Sequence, residues 1–167
     1  MDFFDAVRKR HCYRGPYTDA AVRREDLRAI VQAGLDAPSG KNAQTTRFVI
    51  VDDPDPVARI QGLHPKNQAM QQAGAYIACV IDKAPEPVFE GMDFVVEDCA
   101  AAVENMLLAI TALGYASVWI DGWLRREGRA ETIGGWLSVP DDKSVHILLH
   151  VGVAEKEVTG PEKMQFD

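Results

Sequence analysis

The sequence predicts a layered α+β domain, and three observations carry that reading. Four short apolar runs of strand length lie along the 167-residue chain, separated by segments with helical periodicity. No Gly-rich turn follows the first of those runs: G-x-G-x-x-G is absent, and so is the phosphate loop ending in Gly-Lys-Ser/Thr, which argues against a standard nucleotide-binding α/β domain. No composition shift, repeat or linker divides the chain, so residues 1–167 are expected to form one domain, large enough for a genuine core.

Phe3, Phe4 and Val7 fall at helical spacing, so a short helix over 2–10 opens the chain, and Gly15-Pro16 closes the segment that follows it. Leu27, Ile30, Val31 and Leu35 make the apolar stripe of a helix over 24–35, broken by Pro38-Ser39-Gly40-Lys41-Asn42. Phe48–Val51 is a first strand, stopped by Asp52-Asp53-Pro54. Helical segments over 56–62 and 67–73 precede a second strand over 76–81. The longest helix is expected over 94–113, with Gly114 as its C-terminal cap. Its apolar residues occupy several faces, which points to burial in the centre or at an interface. Residues 116–120, 130–137 and 145–151 complete the series as strand, helix and strand.

A formal charge of −7 speaks against tracking a nucleic-acid backbone, although a local basic cluster can still hold an anion. Three cysteines without a Cys-x-x-Cys pair suggest neither zinc nor a disulfide framework. No apolar stretch approaches a membrane span, and Met1–Asp5 lacks the layout of a signal peptide; the cytoplasm is the expected address. His64, His146 and His150 have no ligand spacing; His150, in an apolar run, reads as a satisfied core or interface histidine. Asp52-Asp53 and Asp141-Asp142 read as solvated turns. The three tryptophans read as packing residues, with Trp123, next to Gly122, as the one to watch.

Two segments carry chemistry. Arg10-His11-Cys12-Tyr13-Arg14 crowds ionisable groups at the end of a short helix. Forked guanidinium donors there make an anion clamp, or else a solvated basic helix end that suits the helix dipole. Ala37-Pro38-Ser39-Gly40-Lys41-Asn42-Ala43-Gln44 offers many donors and acceptors with little bulk, suited to close approach by a planar polar ligand, though the same residues make ordinary turns.

In this order and at this separation the two segments resemble the nitroreductase family, whose pattern reads Arg-x-Ser-x-Arg/Lys and then Ala-Pro-Ser-x-x-Asn-x-Gln. The likeness continues through Asp98–Leu113, Gly114–Gly122 and Val139–Asp142 to the strand ending at Gly152. The resemblance implies a three-layer α/β/α fold, a mainly antiparallel central sheet flanked by helices, and an intertwined homodimer with FMN at the subunit interface. It implies that Arg10, His11, Cys12 and Arg14 line FMN from one subunit, Arg10 at the phosphate and Arg14 at the pyrimidine edge. Pro38, Ser39, Gly40 and Asn42 would come from the second subunit. Asn67 would offer its amide to the pyrimidine, the backbone of Gly122 after Asp121 would face flavin N5, and Lys163 would add a base near the phosphate.

The implied activity is electron transfer from NADH or NADPH to a small acceptor such as a nitroaromatic, a quinone or free flavin. The cofactor carries the redox chemistry, and Arg14 and Gly122 tune it, so no protein nucleophile or metal is called for. The alternatives are a non-enzymatic FMN-binding or redox-sensing protein, and another reaction of the same cradle, such as dehalogenation or flavin breakdown. Three departures stand out. Cys12 replaces the usual serine, giving either a weaker hydrogen-bond partner or an oxidation-sensitive thiol. Thr45-Thr46 replaces the common Pro-Trp, and the chain has little room for the helical excursion that covers the site in longer relatives.

Overall fold

The computed structural model describes residues 1–64 and 66–166. It contains α1 (Phe3–Lys9), α2 (Arg24–Leu35), β1 (Arg47–Val51), α3 (Pro54–Leu63), α4 (Gln68–Gln72), β2 (Ala75–Asp82), α5 (Val95–Ala112), β3 (Ala116–Ile120), α6 (Arg129–Trp136) and β4 (Lys143–Gly152). Every element expected from the sequence is present, with ends shifted by no more than two residues. The helix expected from residue 56 starts earlier because Pro54 fits the first helical turn, where its missing N–H costs nothing.

The strands form one sheet in the order β1-β2-β4-β3, and every neighbouring pair is antiparallel. Two apolar layers cover it. Tyr76, Ala78 and Val80 of β2 point toward the α3, α4 and α6 side, where Ile60, Met70 and Ile133 are fully buried. Ala75, Ile77 and Cys79 point the other way, toward Leu27 and Ile30 of α2 and Val103, Met106 and Ile110 of α5. The two-residue period of a strand thus feeds both cores, giving helix, sheet and helix layers. On β4 the alternation slips: Cys79 faces Ile147 while Val80 faces Val145, so His146 is the extra residue of a bulge. That bulge puts Val145 and Ile147 on opposite faces although they are two apart.

The stop signals work as their chemistry requires. Gly114 takes φ +85°, donating to Thr111 O while Tyr115 N–H reaches Ile110 O, the paired bonds of a Schellman cap on α5. Asp2 caps α1 by accepting from Asp5 N at 3.0 Å. α5 is broadly apolar because it lies against both α2 and the sheet, with Val95, Cys99, Ala102, Val103, Met106, Leu107 and Ile110 buried.

His150 is fully buried, but only half satisfied, which corrects the expectation. The Tyr17 hydroxyl donates to Ala116 O at 2.9 Å, so at 2.7 Å it accepts from Nδ1–H of His150. Nε2 is left buried with no partner among the described residues. Burial, and then the Arg14 charge, push the imidazole down to about 3. An unfolded histidine titrates near 6.5, so between pH 6.5 and 3 the unfolded chain binds the extra proton and stability falls as pH falls. From this group alone, about 2 kcal/mol should be lost between pH 7.5 and 5. Urea titrations across that range check it: His150→Phe should flatten the slope, and an unchanged slope would overturn the assignment.

Candidate functional site

The first motif is stitched to the open edge of β3. Arg10 ends α1, its N–H bonding Ala6 O. Cys12 then bridges to Ser117 of β3, and Tyr13 N–H donates to Ser117 O at 2.9 Å. Arg10 Nε meets Glu104 of α5 at 3.1 Å, an anchor that the sequence reading did not include. His11 places Nδ1 2.8 Å from Lys9 O, which makes that nitrogen the donor, and its Nε2 is buried with no partner among the described residues. Cys12 and Arg14 are exposed. The C-terminal tail crosses this segment: a Cβ at Gly160 would stand 2.7 Å from His11 Cβ, so only glycine passes there, and Lys163 follows on the exposed tail.

Between α1, the end of α5, the start of β3 and the tail lies a cavity of about 340 Å³. Arg8, Lys9, Arg10 and Lys156 give it a mainly basic wall that also includes Glu157, and Leu107, Ile110 and Tyr115 an apolar one. Ser117, another lining residue, is buried with its hydroxyl unpartnered among the described residues. A buried hydroxyl and an imidazole nitrogen without protein partners, beside several cations, suit a ligand that pairs an anion with polar ribityl-like groups.

Past the other end of β3, Asp121 and Gly122 open a turn. The Asp121 carboxylate is held by Arg125 at 2.5 and 2.9 Å, and its carbonyl accepts from Leu124 N at 2.8 Å, so Asp121 braces the turn. A Cβ built on Gly122 meets nothing within 4 Å, leaving its exposed backbone open to an approaching ring edge. The neighbouring loop comes alongside, because His64 stacks on Trp123 with ring centroids 5.1 Å apart. Asn67 ends that loop as the N-cap of α4, its side-chain oxygen accepting from Met70 N at 3.1 Å. Trp123 carries Arg129 as well, 4.8 Å from its ring centroid. His64 and Arg129 thus both pack on the Trp123 ring.

The second motif lies at the opposite edge, leading into β1. Asp98 in the first turn of α5 holds it, accepting from Gly40 N at 2.8 Å and from the Thr45 hydroxyl at 2.9 Å. Ser39 Oγ accepts from Gln44 N at 3.0 Å. A Cβ at Gly40 would stand 2.7 Å from the Phe94 ring, so close packing requires glycine. Lys41, Asn42 and Gln44 all have positive φ, at 48°, 57° and 50°. Three non-glycine residues in the left-handed region within one short loop are costly, and such strain concentrates at functional loops. Pro38 and Asn42 are exposed. Sequence reasoning missed Asp98 as the anchor; an acidic residue in a helix's first turn was the available signal, but it is ordinarily read as a dipole partner.

The two motifs therefore stand apart within one chain. Crossing from β1 to β3 takes three strand spacings, and Cys12 adds a fourth, about 19 Å in all. Asp98 and Glu104, which anchor the two motifs, lie about 9 Å apart along α5 and project in directions about 120° apart.

The Nitroreductase family model matches residues 7–153. A protein of Archaeoglobus fulgidus named "Putative NADH dehydrogenase/NAD(P)H nitroreductase" is 32% identical over 141 residues, covering 84% of this chain and 79% of its own. Among solved structures, a Desulfovibrio desulfuricans protein in complex with FMN is 29% identical, with a TM-score of 0.77 over 99% of this chain and 92% of its own. An FMN-dependent nitroreductase of Clostridium difficile R20291 is 26% identical, with a TM-score of 0.78 and 98% of each chain covered. The chain belongs to the nitroreductase family.

Proposed function

We propose that this protein is an FMN-dependent oxidoreductase that passes electrons from NADH or NADPH to a small acceptor, working as a homodimer with each flavin shared between two subunits. The observation that carries the reading is the separation of the two motifs to opposite sheet edges, each anchored by its own carboxylate on α5. Neither edge alone gathers the residues expected of a whole flavin site, whereas the two edges of neighbouring subunits would supply them together. The 29%-identical relative in complex with FMN and the 26%-identical relative named FMN-dependent support the choice of cofactor.

In this arrangement Arg10, Lys163 and the unpartnered Ser117 hydroxyl would hold the phosphate end. Arg14, Asn67 and the Gly122 backbone would hold the ring, with Pro38, Ser39, Gly40 and Asn42 reaching it from the partner subunit. FMN when bound supplies the two-electron redox chemistry. The chain's own task is to position, to set the local field and to leave one approach open for donor and acceptor in turn. Arg14, an exposed guanidinium with no ion-pair partner among the described residues, supplies fixed positive charge at the proposed pyrimidine edge. No helix of the described residues is long and apolar enough to cross a membrane.

The decisive experiment is the absorption spectrum of the purified protein, followed by anaerobic titration with NADH and NADPH. A yellow protein bleached by either is expected, and one that takes up no FMN would overturn the reading. A flavin-loaded protein that oxidises neither nucleotide in the steady state would favour storage or sensing. Arg14→Gln is expected to lower the two-electron potential by about 20–45 mV, taking about 1–2 kcal/mol for a partly solvated cation and 1.4 kcal/mol for roughly 30 mV. Arg14→Lys should retain most of the effect. Equal potentials in all three proteins, read by spectroelectrochemistry, would give Arg14 a purely structural job.

A further inference from the structure

Beyond the flavin cradle, the geometry points to a second anion site: the basic hollow beside Gly122 takes the phosphate monoester of a diffusible co-substrate. This rests on the reading above only for what lies next to the hollow. The hollow holds about 530 Å³ and is lined by Lys66, Gly122, Arg126 and Arg129, with His64 and Trp123 as its aromatic wall. On a chain of formal charge −7 this is a reversal of sign. Among its lining residues three are cations and one, Glu127, is an anion, already spent on Arg129.

The parts divide into a rigid wall and free charges. Arg129 is fixed: it lies over the Trp123 ring, donates to Trp123 O at 2.9 Å, and its side chain is only 19% exposed. His64 stacks on the same indole. Trp123 therefore stiffens the wall. Lys66 and Arg126 are exposed, and neither has a carboxylate partner among the described residues. Arg125, which would add a third free cation, faces away onto Asp121. The start of α6 adds no free donors, because Arg129 N–H bonds Arg126 O and Ala130 N–H bonds Leu124 O, so the charge of the hollow rests on its side chains.

Two unpaired cations match a dianion better than a carboxylate, and a phosphate monoester is close to doubly charged at neutral pH. A neutral nitroaromatic or quinone gains nothing there. A dinucleotide's pyrophosphate would be held alike in NADH and NADPH, so only a terminal monoester turns this surface into selectivity. Two co-substrates carry one: NADPH at its 2′ position, and free FMN acting as an electron acceptor.

The test has two arms on the FMN-loaded protein and on the Lys66→Gln/Arg126→Gln double variant. The first arm measures kcat/KM for NADPH against NADH, and the second for FMN against riboflavin as acceptor. In the wild type one of these ratios should exceed about ten, and the double variant should bring it to near one; removing two charge-assisted contacts is worth at least that factor. Raising the salt should erode the same ratio. The arm that responds names the source of the phosphate. Direct titration of 2′-AMP against adenosine, with and without added FMN, reads the hollow without turnover. It separates failure of the flavin reading, a protein that binds no FMN, from failure of this one. Both ratios near one in the wild type, or both unmoved in the variant, together with 2′-AMP binding no tighter than adenosine, would overturn the site.

Discussion

Replacing Phe3 and Phe4 together by glutamate is expected to give a folded monomer that no longer holds FMN. Both rings belong to α1, whose one buried residue is Ala6, and they remain 64% and 67% exposed in the isolated chain, with Val7 beside them at 45%. An apolar helix face left in water next to half of a ligand site is a surface awaiting a partner. A twofold interface uses every contact twice, so the proposed dimer would bury four rings. With about two-thirds of each ring still to be covered, each contributes about 1–2 kcal/mol, or about 4–8 kcal/mol for the four. Losing that raises the dimer dissociation constant by about three to six orders of magnitude. Because the Pro38–Asn42 loop would then have no neighbouring Arg10–Arg14 segment, flavin content should fall with the dimer. Sedimentation and bound-FMN absorbance measure the two together, and circular dichroism confirms the fold. A dimeric, fully loaded double variant would sink the shared site; a loaded monomer would show that one chain suffices.

The sequence disclosed the fold well because its signals are local. Pro54, Gly114 and the Pro38–Asn42 break each mark an element end through backbone chemistry that needs no distant partner. The unbroken apolar run of residues 76–81 announced a buried strand. What stayed hidden was long-range. The His146 bulge depends on how β4 meets β2, and no local pattern in Val145–Val151 betrays it. His150 looked satisfied from its apolar surroundings, yet its second nitrogen finds no partner because Tyr17, 133 residues away, engages only the first.

The site divides along the same line. The residue types of the two motifs were legible, but their anchors were not. Asp98 holds Gly40 across 58 positions and Glu104 meets Arg10 across the α1–α5 contact; both are carboxylates on a helix, where the ordinary reading is a solvated face. The basic hollow was equally invisible, since Lys66, Arg126 and Arg129 come together only when the loop after α3 stacks on the turn after β3.

Arg10→Ala is expected to weaken FMN binding roughly ten- to a hundredfold, the loss of one charge-assisted contact worth on the order of 1.5–3 kcal/mol. The Glu104 pair shapes how that loss arises. Glu104 engages Nε and is half exposed, while the Arg10 side chain is 21% exposed, so the pair orients the guanidinium and leaves its terminal nitrogens for a phosphate. Deleting Arg10 removes those donors and also leaves the Glu104 carboxylate unneutralised beside the place the guanidinium held. Repulsion then adds to the lost contact. Arg10→Ala combined with Glu104→Gln should therefore bind FMN more tightly than Arg10→Ala alone, because the amide keeps the volume and drops the charge. Riboflavin, which lacks the phosphate, separates this from general damage: its affinity should be nearly the same in wild type, single variant and double variant. Fluorescence titration of each apoprotein with FMN and riboflavin gives all six constants. If the single and double variants bind FMN equally, Glu104 is a bystander; if riboflavin weakens as much as FMN, Arg10 supports the loop and not the phosphate.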